Sequence, residues 1–87
     1  MATVSIPLLL NDVTGGVRRA EVQGTTIAEV IAALEGLFPG IEGRIRDGHR
    51  IRPIFAFTVD GVIAAQGLAT PVGPASSVDI LPVMGGG

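Results

Sequence analysis

The chain contains no cysteine and no lysine. Without cysteine it has no disulfide framework, no thiolate metal ligand and no thiol nucleophile of its own. All six basic side chains are arginines, so no ε-amine is available for Schiff-base catalysis or as an internal acylation target. Charged residues make up only 16% of the chain and the net charge is −2, which argues against a general nucleic-acid binder. No apolar stretch approaches the roughly 20 residues that a spanning helix needs. The opening "MATVSIPLLL" has no positive segment ahead of its short apolar run and carries Pro7 inside it, so it is not read as a secretory signal. A cytoplasmic protein with no membrane and no nucleic-acid partner is expected.

What is present is a globular composition. Hydrophobic residues account for 47% of 87 residues, too many for a disordered chain. The length fits one domain. A domain this small buries only about 60–65% of the surface its unfolded chain exposes, so few residues can be spared from the core.

Periodicity divides the chain. Val4, Ile6, Leu8 and Leu10 alternate with Ser5, Pro7 and Leu9, which predicts a strand with one buried face. Pro7 cannot donate to a ladder, so its position must face away from a neighbour. "NDVTGG" (11–16) is a turn signal, and 18–23 alternates again with Ala20 and Val22 inward, completing an N-terminal β-hairpin. Ile27, Val30, Ile31, Leu34 and Phe38 then fall at helical spacing, with Thr26 and Glu29 placed as a capping box and Pro39-Gly40 as the stop. Residues 41–53 read as a polar connector with a helical turn near Ile41–Ile45. Phe55, Phe57 and Val59 form a third strand, Asp60-Gly61 a hairpin turn, 62–65 a short strand, 66–77 a loop, and 78–83 the last strand. On that strand Val78, Ile80 and Pro82 face one way and Asp79, Leu81 and Val83 the other. The order predicts an α+β chain of the β-grasp, ubiquitin-like plan: a mixed sheet of four to five strands with one main helix across it. The domain is assigned to 1–83 and a flexible glycine tail to 84–87.

The tail, "MGGG", follows the last strand without a spacer. A frayed, inert end is the plain alternative. Extended, four residues reach about 13–14 Å, enough to thread a narrow channel into another protein's active site. Glycine passes where a Cβ would clash. A carboxylate at that end is inert until a partner converts it to a mixed anhydride such as an acyl-adenylate. A sulfur donor or an amine can then attack.

Nearly the whole chain resembles the ubiquitin-like sulfur carriers of the thiamine and molybdopterin pathways, the ThiS/MoaD family. "TVSIPLLL", "TTIAEVIAALEGLFPGI", "IFAFTVDG", "GLAT" and "SVDILPVMGGG" carry the likeness, and the diglycine end is its specific part. "SIP", "RIRD", "GLAT" and "SVDILP" are most similar to the carriers of mycobacterial-type cysteine synthesis. Asn11 stands where the family often has arginine, Ala75-Ser76-Ser77 stands where it often has Gly-Asp, and Gly85 is an extra glycine. The resemblance implies a protein co-substrate rather than an enzyme. Gly87 would be adenylated by a ubiquitin-activating-type enzyme that uses ATP and magnesium, with no cofactor bound to the chain itself. Sulfur would replace AMP, giving a thiocarboxylate at Gly87 for a downstream synthase: cysteine synthase-like, molybdopterin synthase large subunit or thiazole synthase. A metalloprotease-like hydrolase is a further implied partner. Partner-binding positions implied are Gly86, Gly85, Met84, Val83 and Leu81. Pro7 and Leu9, on the outer face of the first strand, are placed beside them.

Two other readings of the tail stay open: a modifier that acylates lysines of other proteins, and an interaction module whose tail is inert. Arg44, Arg46, Arg50 and Arg52 cluster around His49, but no aromatic residue is interleaved to stack a base, so a solvated connector is expected. His49 has no metal-ligand spacing, and no metal site is expected. Gly15, Gly16 and Gly61 lack phosphate-loop spacing and serve turns, as do Asp12 and Asp60.

Overall fold

The last strand to be made lies in the middle of the sheet. In the computed structural model, which describes residues 1–83, seven strands are laid down as β1 (Ala2–Ser5), β2 (Arg19–Val22), β3 (Arg46–Asp47), β4 (Arg50–Ile51), β5 (Phe55–Val59), β6 (Val62–Ile63) and β7 (Ser77–Pro82). A one-turn helix α1 (Asn11–Thr14) and the main helix α2 (Ile27–Leu37) complete the regular elements, with short 3-10 turns at Leu8–Leu10, Pro39–Ile41 and Gly67–Ala69. The large sheet has the order β2-β1-β7-β5-β6. β1 runs antiparallel to β2 and parallel to β7, and β5 runs antiparallel to both β7 and β6. A mixed five-stranded sheet with a helix across one face is the β-grasp fold anticipated from the pattern.

The helix lies where its spacing dictates. Ile27, Val30, Ile31 and Leu34 are fully buried and join Ala2, Val4, Phe57, Val78 and Ile80 in one core. Its first turn is capped three ways. The Thr26 hydroxyl accepts from the Glu29 N–H at 3.2 Å, and the Ile27 N–H donates to the Thr70 carbonyl at 3.0 Å. The Glu29 carboxylate reaches one residue beyond the cap and accepts from both the N–H and the hydroxyl of Thr25, at 2.7 and 2.9 Å. Those bonds, the backbone one foremost, hold the Glu29 carboxyl below its ordinary range. Asp12, beside Arg44, is shifted the same way, chiefly by the hydrogen bond to that side chain. A carboxylate whose folded value is depressed stabilises fully above its unfolded value, and that stability fades as pH falls through the folded value. Thermal midpoints should therefore drop on acidification from about pH 5 to pH 3. Glu29→Gln should flatten part of that drop; an unchanged pH profile would show that the cap bond carries no linkage.

Several local expectations are corrected. β1 stops at Ser5, and the chain after Pro7 coils into the 3-10 turn and α1 rather than a tight hairpin loop. Leu8 is consequently 66% exposed instead of alternating into the core, while Leu10 is buried. The Ile6 N–H still reaches the Arg18 carbonyl at 2.9 Å, which keeps β1 and β2 in register across the excursion. The connector 41–53 carries the antiparallel pair β3–β4 turned at Gly48, not only a helical turn. β6 is two residues long rather than four, and β7 starts one residue earlier than its hydrophobic pattern suggests.

Candidate functional site

β7 is the element that carries the chain toward its end, and it is held on both sides. On the β5 side Ala56 faces Leu81 and Phe57 faces Ile80, and the ladder extends to the Val83 N–H, which donates to the Ile54 carbonyl at 2.7 Å. On the β1 side the pairing covers Thr3–Ser5 against Ser77–Asp79. The alternation then fixes the side chains. Val78 and Ile80 point into the core, whereas Leu81 is 43% and Val83 46% exposed. The sequence pattern had assigned Leu81 and Val83 to the face away from Val78 and Ile80, and their exposure has that sense. Met84, Gly85, Gly86 and Gly87 lie outside the described residues.

Pro7 and Leu9 are not on the outer face of β1, as their alternation suggested, because β1 has ended before them. They sit in the turn that follows, with Pro7 partly buried and Leu9 half exposed. The turn nevertheless brings both beside the end of β7. A groove of about 400 Å³ runs between them, lined by Pro7, Leu8 and Leu9 on one side and Leu81 and Pro82 on the other. Arg18 and Asp79 are charged residues of its lining; the Arg18 Nε–H donates to the Ile6 carbonyl at 3.2 Å.

Ile54 was missed by sequence reading. It is half exposed and pairs through its carbonyl with Val83, so an apolar row runs Leu81, Val83, Ile54 along the outer side of the sheet end. Its strand period with Ala56 was a usable signal, masked by the neighbouring Pro53.

The opposite end of β7 is fastened by Asp60, a residue credited from sequence only with a turn. Asp60 adopts φ +52°, followed by Gly61 at φ +83°. Its carboxylate accepts from the Ser76 hydroxyl at 2.9 Å and the Ser77 N–H at 2.8 Å, and the Ser76 oxygen accepts from the Gly73 N–H at 2.9 Å. These bonds set the register in which β7 enters the sheet. A slip by one residue would turn Leu81 inward.

The arginine cluster is dispersed. Arg44 pairs with Asp12 at 3.1 Å, Arg46 clasps Glu35 through two bonds of 2.7 and 3.1 Å, and the Arg52 Nε–H donates to the Gly43 carbonyl at 2.6 Å. These contacts tie the β3–β4 hairpin to α2, and the turn that precedes it to α1 and to Arg52 just after β4. His49 lies exposed at the hairpin tip, next to a polar hollow shared with Glu35, Glu42 and Asp47. Among the described residues no group of three or more His, Asp or Glu side chains is placed to hold a metal ion. No helix among them is long and apolar enough to cross a membrane.

Comparison with known proteins agrees over nearly the full length. The ThiS family matches residues 9–87. The sulfur carrier protein CysO of Mycobacterium tuberculosis is 38% identical over 91 residues, covering 98% of this chain and 97% of that protein. Among solved structures, a chain of the Amycolatopsis orientalis BexX/CysO complex superposes with a TM-score of 0.91 at 30% identity, with all of both chains covered. The small archaeal modifier protein 1 of H. volcanii superposes with a TM-score of 0.70 at 26% identity, covering 95% of this chain and 97% of the other.

Proposed function

The chain belongs to the ThiS family, and from that premise we propose that it is a sulfur carrier for cysteine biosynthesis whose working group is the Gly87 carboxylate. The observation that carries this reading is the end-to-end match to a sulfur carrier protein, with a family match that runs through the terminal glycines. In the proposed reaction a ubiquitin-activating-type enzyme uses ATP and magnesium. The carboxylate oxygen attacks the α-phosphate, pyrophosphate leaves, and an acyl-adenylate forms. A hydrosulfide-level nucleophile then attacks the acyl carbon and expels AMP, leaving a thiocarboxylate. A sulfur-accepting synthase takes that sulfur. The chain supplies no catalytic side chain; it presents its end as a co-substrate.

The geometry suits that role. β7 is held by β1 as far as Asp79 and by β5 through Pro82, with the Val83–Ile54 bond beyond, so the point at which the chain leaves the sheet is fixed from the β5 side. The apolar row of Leu81, Val83 and Ile54 stands at the same point, a surface of the type that partners cover. Leu81→Asp should leave the fold intact, because the side chain is on the outer face. It should lower kcat/KM for adenylation by roughly 10- to 100-fold, as expected for loss of an apolar interface anchor. Pyrophosphate-exchange kinetics with a thermal melt alongside would check this. An unfolded variant, or undiminished activation, would remove Leu81 from the partner surface.

A second reading, a protein modifier, has one observation in its favour: the likeness to the small archaeal modifier protein 1. Mass spectrometry of the protein from its native cell separates the two. Exchange of oxygen for sulfur adds about 16 Da, whereas conjugation joins the chain to a lysine of another protein. If neither appears, the tail is inert and the domain is an interaction module.

A further inference from the structure

One edge of the large sheet presents its backbone outward. β2 stands first in the strand order, with β1 as its neighbour. The Ile6 N–H donates to the Arg18 carbonyl, so residues 18, 20 and 22 turn their backbone groups toward β1, and residues 19 and 21 turn theirs away from it. Thr3 agrees with this register: it faces Glu21 but sends its N–H the other way, to the Ser76 carbonyl at 3.0 Å. The N–H and carbonyl groups of Arg19 and Glu21 therefore form an outward row, and among the described residues no backbone group or strand pairs with them. Residues 84–87 are too few to supply a strand there. Such a strand would run three strand spacings from β7, about 14 Å. Four extended residues reach about 13–14 Å, which leaves none over to pair.

The side chains on this edge suit one occupant. Arg19 and Glu21 are both exposed, whereas Ala20 and Val22 turn toward the core. Neither Arg19 nor Glu21 takes part in an ion pair among the described residues. On β1 they face Ser5 and Thr3, which carry no charge. Charges of a single sign along an edge keep copies apart. These two are opposite in sign and two residues apart, so the edge is complementary to itself. In an antiparallel pairing about a two-fold axis at Ala20, Arg19 meets the second copy's Glu21, and Glu21 meets the second copy's Arg19. The same register makes these the hydrogen-bonded pairs, because their backbone groups are the ones that point outward. The two Ala20 residues become the close, non-bonded pair, where a methyl group is little obstacle. Shifting the register by two residues would set Arg19 against Arg19 or Glu21 against Glu21, which is destabilising. The ladder stops at residue 17, whose N–H and carbonyl both return to Thr14, at 3.3 and 3.0 Å.

We infer that β2 is a self-pairing edge, through which two copies of this chain join antiparallel about Ala20 into one continuous sheet, matched by Arg19 against Glu21 in both directions. The two-fold axis stands normal to the sheet, so both main helices lie on one face and both apolar rows on the other. On each side β7 is third from the junction, and the two β7 strands run in opposite directions, so the two Val83 exits point apart. Pairing therefore covers neither chain end. The contact is short and belongs with weak, transient interfaces, with a dissociation constant on the order of 0.1–1 mM. It does not depend on the chemistry at Gly87.

The test is sedimentation equilibrium and amide NMR of the full chain between about 20 μM and 2 mM, at low salt, where exposed ion pairs are least screened. The parent should pass from monomer to dimer over that range, and the amide shifts that grow with concentration should map to β2 and its flanks. Arg19→Glu and Glu21→Arg each place like charges opposite one another at both ends of the junction, so each alone should weaken self-association about tenfold or more. Mixed, the two variants are complementary, and they should associate at least as tightly as the parent. Labelling one variant and titrating it with the unlabelled other reads the unlike pairs directly. Both substitutions in one chain should restore parental behaviour. Both positions are exposed, and dilute amide spectra check that each variant keeps the fold. A parent that stays monomeric at the highest concentration would overturn the inference and leave the edge to a strand of another protein. Shifts that map away from β2, or a mixture that associates no better than either variant alone, would overturn it as well.

Discussion

A chain ending at Gly85 is expected to accept neither AMP nor sulfur. Removing Gly86 and Gly87 takes away no side chain and no group described in the sheet, so melting and amide spectra should match the parent. The carboxylate that remains is two residues short, and extended chain covers at most about 3.3–3.6 Å per residue. That leaves the reacting oxygen roughly 7 Å from where the full chain would place it. Displacements of about 1 Å from a reactive geometry already cost on the order of 100-fold. The expected loss is therefore at least about 1,000-fold in ATP-dependent adenylation, equivalent to roughly 4 kcal/mol in the barrier. Pyrophosphate exchange with the activating enzyme and intact-mass measurement of the carrier would check it. A truncated chain that still gained sulfur would place the reactive group elsewhere and end the carrier reading for Gly87.

The largest effect on stability is expected at Leu34. It is fully buried under the helix, in a core whose largest closed side chains also include Leu10, Ile27, Ile31, Ile41 and Ile45. Leu34→Ala removes three carbons from a site enclosed on all sides, and substitutions of this kind cost about 2–5 kcal/mol. In a domain of this size each kcal/mol moves the thermal midpoint by roughly 4–8 °C, so the fall should lie at about 8–40 °C. Leu37 is the internal control. It is one turn further along the same helix and 55% exposed, so Leu37→Ala should change stability by less than about 0.5 kcal/mol. Thermal circular dichroism on both variants would show the contrast. A Leu34→Ala midpoint within a few degrees of the parent would mean that the helix is not sealed against the sheet as described.

The residues that repeated a period were readable in advance. The helix announced itself through Ile27, Val30, Ile31 and Leu34, and the cap through Thr26 and Glu29, because burial of one face leaves a regular signature. The outward setting of Leu81 and Val83 followed from the same rule, given that Val78 and Ile80 had to be inside. Prediction failed where backbone chemistry overrode the period. Pro7 withholds the bond that would prolong β1, so the alternation of Leu8 and Leu10 around it describes a coil and not a strand. The β3–β4 pair was invisible because two residues per strand cannot display a period, and Arg46 in β3 and Arg44 just before it are placed by carboxylates of other elements, Glu35 and Asp12. Asp60 looked like a turn residue and is one. Its second duty, gripping Ser76 and Ser77, depends on a loop that closes over a separation of 16 residues, which no local window contains. The apolar row was legible only in part. Two of its members could be read from β7, and the third came from the strand beside it.

The parallel pairing of β1 with β7 has a practical consequence for anyone handling this molecule. The amino group of Met1 donates to the Pro74 carbonyl at 2.6 Å, just ahead of β7. The far end of β7, a six-residue strand, lies about 17 Å from its near end. An affinity handle, fluorophore or bead attached in front of Met1 would thus hang from the end of the sheet opposite Val83.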